Sequence, residues 1–146
     1  MLIENPKLQT RIMLFGTFDI LHPGHLSLFV QAKKLFKNSY LIVSVARGVN
    51  VKKIKGKKPL NSERVRLKNI KNLNLVDRVV LGAKEDYLSH ILKESPSVIA
   101  LGYDQKEYTE GLAKKLVEKG LKVKIIRLKS YFPKKYKSSI FKRKMI

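Results

Sequence analysis

The run GTFDILHPGH, residues 16–25, gathers two glycines, a proline and two of the chain's three histidines behind a short apolar stretch. His22 and His25 stand three apart, a spacing that brings them to one face if a helix starts there. Gly16 permits a sharp exit from a strand, after which Thr17 and Phe18 present backbone amides. Pro23 suits the first turn of a helix. Gly24 removes a side chain where the N–H groups and the positive end of the dipole point outward. Such a place accepts a bulky anion. Two imidazoles beside it can donate hydrogen bonds to phosphate oxygens and stabilise negative charge as it builds. Zinc ligation is the competing chemistry, but it needs three or four ligands; the chain has no cysteine, and its other histidine, His90, falls on an unremarkable helix. A general base is not required if the nucleophile is a phosphate monoester, already ionised near neutral pH.

Charge points the same way. Thirty-two Lys and Arg against eleven Asp and Glu give +21, a field that attracts nucleotides, phosphorylated metabolites or nucleic acid. Much of this is solvated helix surface. Residues 47–58, RGVNVKKIKGKK, are harder to dismiss: six basic residues and no acid. They read as a basic loop. In LGYDQ, residues 101–105, Gly102 allows close backbone approach by a ligand, and Asp104 is a candidate contact or the start of an Asx turn.

The elements needed to position these residues follow from periodicity. Residues 11–15 read as a short buried strand, and a helix follows from Gly24 with Leu26, Phe29 and Val30 at helical spacing. Residues 40–46, YLIVSVA, form the clearest strand, suited to a parallel sheet covered on both faces. A helix is predicted from a cap at Asn61 or Ser62, with Val65, Ile70 and Leu73 inward. Then come a strand at 78–82, a helix at 87–94, a strand at 97–102 and a helix at 108–119. That last helix turns Leu112, Ala113, Leu116 and Val117 inward. A fifth strand at 122–128 and a short helix from about Ser138 complete the chain. This alternation specifies an α/β fold: a Rossmann-like, doubly wound five-stranded parallel sheet. Ligands in such sheets sit beyond the carboxyl ends of the strands where the winding reverses, which selects the loops after the first and fourth strands.

The totals bound the rest. A length of 146 residues fits a single domain, with residues 1–10 as an N-terminal extension. The absence of cysteine excludes disulfides and thiolate chemistry. No apolar run approaches membrane-spanning length and the N-terminus lacks a signal-peptide layout, so a cytoplasmic protein is expected.

GTFDILHPGH resembles the signature of the cytidylyltransferase-like nucleotidyltransferases, G-T-F-D-x-x-H-x-G-H, at every fixed position. The resemblance implies transfer of a nucleoside monophosphate from ATP or CTP to a phosphate-bearing acceptor, with Mg²⁺ accompanying the nucleotide, no metal ligand from protein side chains, and a homodimer. It implies nucleotide contacts at Gly16, Thr17, Phe18 and Gly24, and a catalytic pair in His22 and His25. VKKIKGKKP resembles the family's lysine loop, which makes Lys55 catalytic and Lys57 a phosphate ligand. Counting back from the VD of residues 76–77 places Arg66 at the family's phosphate-contacting arginine; an exposed helical arginine is the other reading. Gly102 and Asp104 fall in the loop that reads the base, and Ser138 and Ser139 in the serine/threonine pair that opens the last helix. Ser138 and Ser139 are also ordinary N-caps.

Several stretches together look most similar to the archaeal FAD synthases, which adenylylate FMN with ATP. The alternatives are a CTP-dependent enzyme acting on glycerol 3-phosphate or a similar small phosphate, and a nucleic-acid-binding protein on the same fold. The chain departs from its relatives at Gly48, where an acidic residue is usual, and at Lys129, where an arginine is expected.

Overall fold

The computed structural model describes residues 9–103, 105 and 111–130. Its elements run β1 (Thr10–Gly16), α1 (Pro23–Lys34), β2 (Ser39–Val45), α2 (Gly48–Lys55), α3 (Glu63–Lys71), β3 (Arg78–Leu81), α4 (Tyr87–Glu94), β4 (Val98–Leu101), α5 (Leu112–Glu118) and β5 (Lys124–Arg127). The five strands pair in the order β3-β2-β1-β4-β5, and every pairing is parallel. The winding reverses between β1 and β4. The doubly wound α/β sheet read from the sequence is therefore present, and the loop carrying His22 and His25 leaves a central strand.

Alternation along the strands divides the core into two layers. Ile12 and Leu14 of β1, Leu41, Val43 and Val45 of β2, and Val98 and Ala100 of β4 face one side, where they meet Phe29 and Ala32 of α1 and Ile70 of α3. Met13, Ile42, Ile99 and Leu101 face the other, against Ile91 of α4 and Leu112 and Leu116 of α5. Burial on both faces explains why β2 is apolar almost throughout rather than alternating. The Asp77 carboxylate accepts from the Leu41 amide at 2.8 Å and pairs with the Lys33 ammonium, tying β2, α1 and the entry to β3 together.

Three expectations are corrected. Residues 48–55 of the basic segment are helix, not loop, and end at Gly56 in the left-handed region (φ +75°). The helix exists because it is bracketed from outside: Arg47 Nε donates to Gly82 O at 2.7 Å, Asn50 Nδ2 donates to Ala83 O at 2.8 Å, and Val51 is buried. Three lysines in its last turn also suit the negative end of the dipole. Val65 and Val117 were expected inside and lie exposed, whereas Ile70, Leu112 and Leu116 of the same helices are buried as expected. Thr10, expected in the N-terminal extension, is the first residue of β1. Residues 1–8, the expected last helix at 138 and the 131–137 loop lie outside the described residues.

Candidate active site

The loop between β1 and α1 is built around a folded-back ring. A Cβ on Gly16 would lie 2.6 Å from the Phe18 ring, so only glycine leaves room for it. Phe18 itself adopts φ +52°, a costly conformation for a bulky residue and one that collects at functional sites. Its ring is buried against Phe29 (centroids 5.3 Å apart) and meets His25 edge-on at 5.2 Å. Only the backbone of Phe18 is therefore placed to contact a ligand.

His22 is the N-cap of α1. Its Nδ1 accepts from the Gly24 amide at 3.1 Å, which fixes the neutral tautomer with the proton on Nε2. His25 stacks on it, centroids 3.8 Å apart and planes 25° from parallel. Burial lowers the pKa of His22. His25 is pushed down to about 3, first by burial, then by His22 and Lys55; only the Ile20 backbone opposes this. Its Nδ1 is buried without a hydrogen-bond partner of good geometry. Two neutral imidazoles thus sit at a helix N-terminus whose first turn carries no acid. An anion arriving there meets the positive end of the dipole and a neutral imidazole with its proton on Nε2, while the Gly24, His25 and Leu26 amides are already engaged by His22.

Lys55, the last residue of α2, is close enough to His25 to lower its pKa. It also lines a cavity of about 500 Å³ over the carboxyl ends of β1, β2 and β3. Gly16 and Thr17 border that cavity too, with Arg47, Lys53 and Lys84 as further cations around it. Lys55 therefore stands between the histidine pair and the cavity. Lys57 is exposed beyond Gly56 and does not line it.

Arg66 is not an exposed helical arginine. It is wholly buried and donates to Asn61 O (3.1 Å), Thr17 O (3.0 Å) and Ala46 O (2.7 Å), clasping the loops that leave β1 and β2. Its Nη2 has no partner and lies 4.0 Å from where a Cβ on Gly48 would be. Gly102 is buried with its backbone engaged: its amide donates to Gln105 Oε1 at 2.8 Å, and its carbonyl accepts from Arg127 Nη1 at 2.8 Å. Asp104, Ser138 and Ser139 lie outside the described residues.

Other residues carry the site without having been singled out by sequence. Gln105 Nε2 donates to Phe15 O at 2.8 Å, linking the ends of β4 and β1 across the switch point. Arg127 fastens the same loop through Gly102 O and Gln105 O. Asp19 is buried and accepts from the Leu60 and Asn61 amides at 2.7 and 2.8 Å. Its signal was present in the motif, but its partners lie some forty residues away. Among the described residues no group of three His, Asp or Glu is gathered as a metal centre needs. No helix among them is long and apolar enough to cross a membrane.

The profile of the cytidylyltransferase-like family matches residues 13–144, and so includes the histidine loop, the lysine segment and the switch point. The chain belongs to the cytidylyltransferase-like family. Among its relatives, the FAD synthase of Korarchaeum cryptofilum is 46% identical over 81% of this chain and 80% of its own length. That of Thermoplasma acidophilum is 37% identical over 93% of this chain and 94% of its own. The crystal structure of the lipopolysaccharide core biosynthesis protein from Thermoplasma volcanium superposes with a TM-score of 0.76 at 40% identity, covering 83% of this chain and 97% of that one.

Proposed function

We propose that this protein is an FMN adenylyltransferase that forms FAD and pyrophosphate from FMN and ATP. The observation that carries the reading is the placement of Lys55 between the stacked, neutral His22–His25 pair and an acceptor-sized cavity. Relatives named FAD synthase at 37–46% identity over most of the chain support the choice of substrates.

A terminal oxygen of the FMN phosphate attacks the α-phosphorus of ATP in line with the bond to the α,β-bridging oxygen. The new P–O bond forms as that bond breaks, and pyrophosphate leaves with the electron pair. His22 donates from Nε2 to oxygens that gain charge, and Lys55 offsets charge on the side facing the acceptor. Gly16 and Thr17 let backbone come close to the nucleotide, whose base would lie toward the switch point between β1 and β4. Mg²⁺ enters with the triphosphate: the one carboxylate in the histidine loop, Asp19, is engaged by the Leu60 and Asn61 amides. Phosphate oxygens are its natural ligands. The same reading carries a cytoplasmic homodimer, to be checked by light scattering of the purified chain.

The test is a matrix of ATP and CTP against FMN and glycerol 3-phosphate, scored for pyrophosphate. ATP with FMN is expected to be the productive pair. Turnover of CTP with glycerol 3-phosphate, and none with FMN, moves the protein to the cytidylyltransferase reading.

A further inference from the structure

Across β1, β2 and β3, Phe15, Ser44 and Val80 stand side by side in register. Phe15 and Val80 pack on the α4 side of the sheet, and alternation from Ile42 turns Ser44 the same way. Ser44 is thus one polar position between two apolar ones, and it is only 2% exposed. Its Oγ lies 2.8 Å from Nε2 of His90, which reaches over from α4. Both residues line the cavity described above.

Packing does not need this pair. The α4 helix is already held by buried Ile91, by its Asp86 cap and by the Glu94–Arg78 ion pair at 2.7 Å. A neutral hydrogen bond contributes about 1 kcal/mol net, and replacing both partners by apolar groups is close to neutral. A buried polar pair opening into a cavity that combines apolar walls with charged groups is placed to fix a ligand's orientation. Its chemistry narrows the ligand group. Burial lowers the pKa of His90, and Arg47 and Lys93 reinforce this against Glu94, so the imidazole is neutral. One member of the pair donates to the other, and the hydroxyl keeps further capacity to donate or accept toward the cavity. A neutral, adaptable donor–acceptor suits an uncharged ring edge. The cations Arg47, Lys53, Lys55 and Lys84 suit a phosphate instead.

We propose that Ser44 and His90 form the polar floor of the acceptor site and read the uracil-like edge of the flavin, its N3–H flanked by two carbonyls. Phe15, Val51 and Tyr87 supply the apolar walls for the rings. This rests on the FMN reading above. The test compares FMN with N3-methyl-FMN, which lacks the donor and adds bulk at that edge. The unaltered protein is expected to prefer FMN by at least about a hundredfold in kcat/KM. In Ser44→Ala and His90→Phe the KM for FMN rises by about tenfold or more, the preference collapses toward unity, and the affinity for ATP is unchanged. Retained ATP affinity reports that the variants are folded; should His90→Phe not fold, Ser44→Ala, a change of one hydroxyl, decides. Equal use of both flavins by the unaltered protein overturns the proposal while leaving the FMN reading intact, as does full discrimination in the variants. No pyrophosphate from FMN and ATP overturns both.

Discussion

His22 has two ring nitrogens for two tasks: Nδ1 caps α1, and Nε2, which carries the proton, is the donor in the proposed reaction. The tasks separate by substitution. Asparagine is a good N-cap and restores the bond to the Gly24 amide, but it lacks a donor at the Nε2 position. His22→Asn should therefore leave the urea midpoint near that of the unaltered protein while lowering kcat by about a hundredfold or more. A matching loss of stability would mean the histidine acts mainly as a cap. At this scale the sequence showed the motif residues well and their partners poorly. His22 and His25 were readable because Gly16, Pro23 and Gly24 surround them with the punctuation of a helix start. His90 was passed over because Ser44, which gives it meaning, lies 46 residues earlier. The serine inside the apolar strand YLIVSVA was the available sign. Arg66 could be read from the sequence as a phosphate contact or as an exposed helical arginine, but not as buried; only the convergence of three carbonyls from three segments makes its burial tolerable.

Among the elements, α2 departs furthest from expectation. Three charged residues in its eight positions obscure any apolar stripe, and its N-cap Arg47 makes no capping bond. Its stability comes from Gly82 and Ala83, which no local pattern foretells. Strand β2, by contrast, was plain to see, because β-branched residues buried on both faces leave a local signature. The end of α2 offers a clean test of the positive φ at Gly56, where a Cβ would meet nothing within 4 Å. Any cost of substitution there is purely one of backbone conformation. Gly56→Ala should destabilise by about 1 kcal/mol, and Gly56→Asn by less, since asparagine tolerates the left-handed region. Urea unfolding of the two variants checks the order. Equal midpoints would show that the helix does not end in this conformation in solution.

Taken as a whole molecule, the protein holds all three histidines in surroundings that lower their pKa, burial being the first cause each time. Their folded pKa values lie below the unfolded value near 6.5, so below that pH the unfolded chain binds more protons than the folded one. Stability from these groups is complete above about pH 6.5 and declines as the pH falls toward about 3, where His25 itself becomes charged. Glu94 adds a further loss below its usual value of 4.5, since its pairing with Arg78 lowers its pKa. Urea midpoints should hold steady from about pH 8 to 7 and fall continuously below about 6.5. A midpoint unchanged from pH 7 to 5 would contradict neutral, buried imidazoles. The global layout was the most legible level of all, because five strand–helix alternations admit few topologies. What periodicity left open was which loops touch, and that depended on single side chains such as Gln105 and Asp19 crossing between strand ends.

The contact from Asp19 to the Leu60 and Asn61 amides has a mechanical consequence. Arg47 pins one foot of the lysine segment and Asp19 pins the other, so the stretch between is a bucket handle rather than a swinging door. The stretch is short, so ordering it against phosphate in the proposed reaction would freeze few torsions. Much of the entropic toll of gripping a polyanion has then been met during folding, before any substrate arrives.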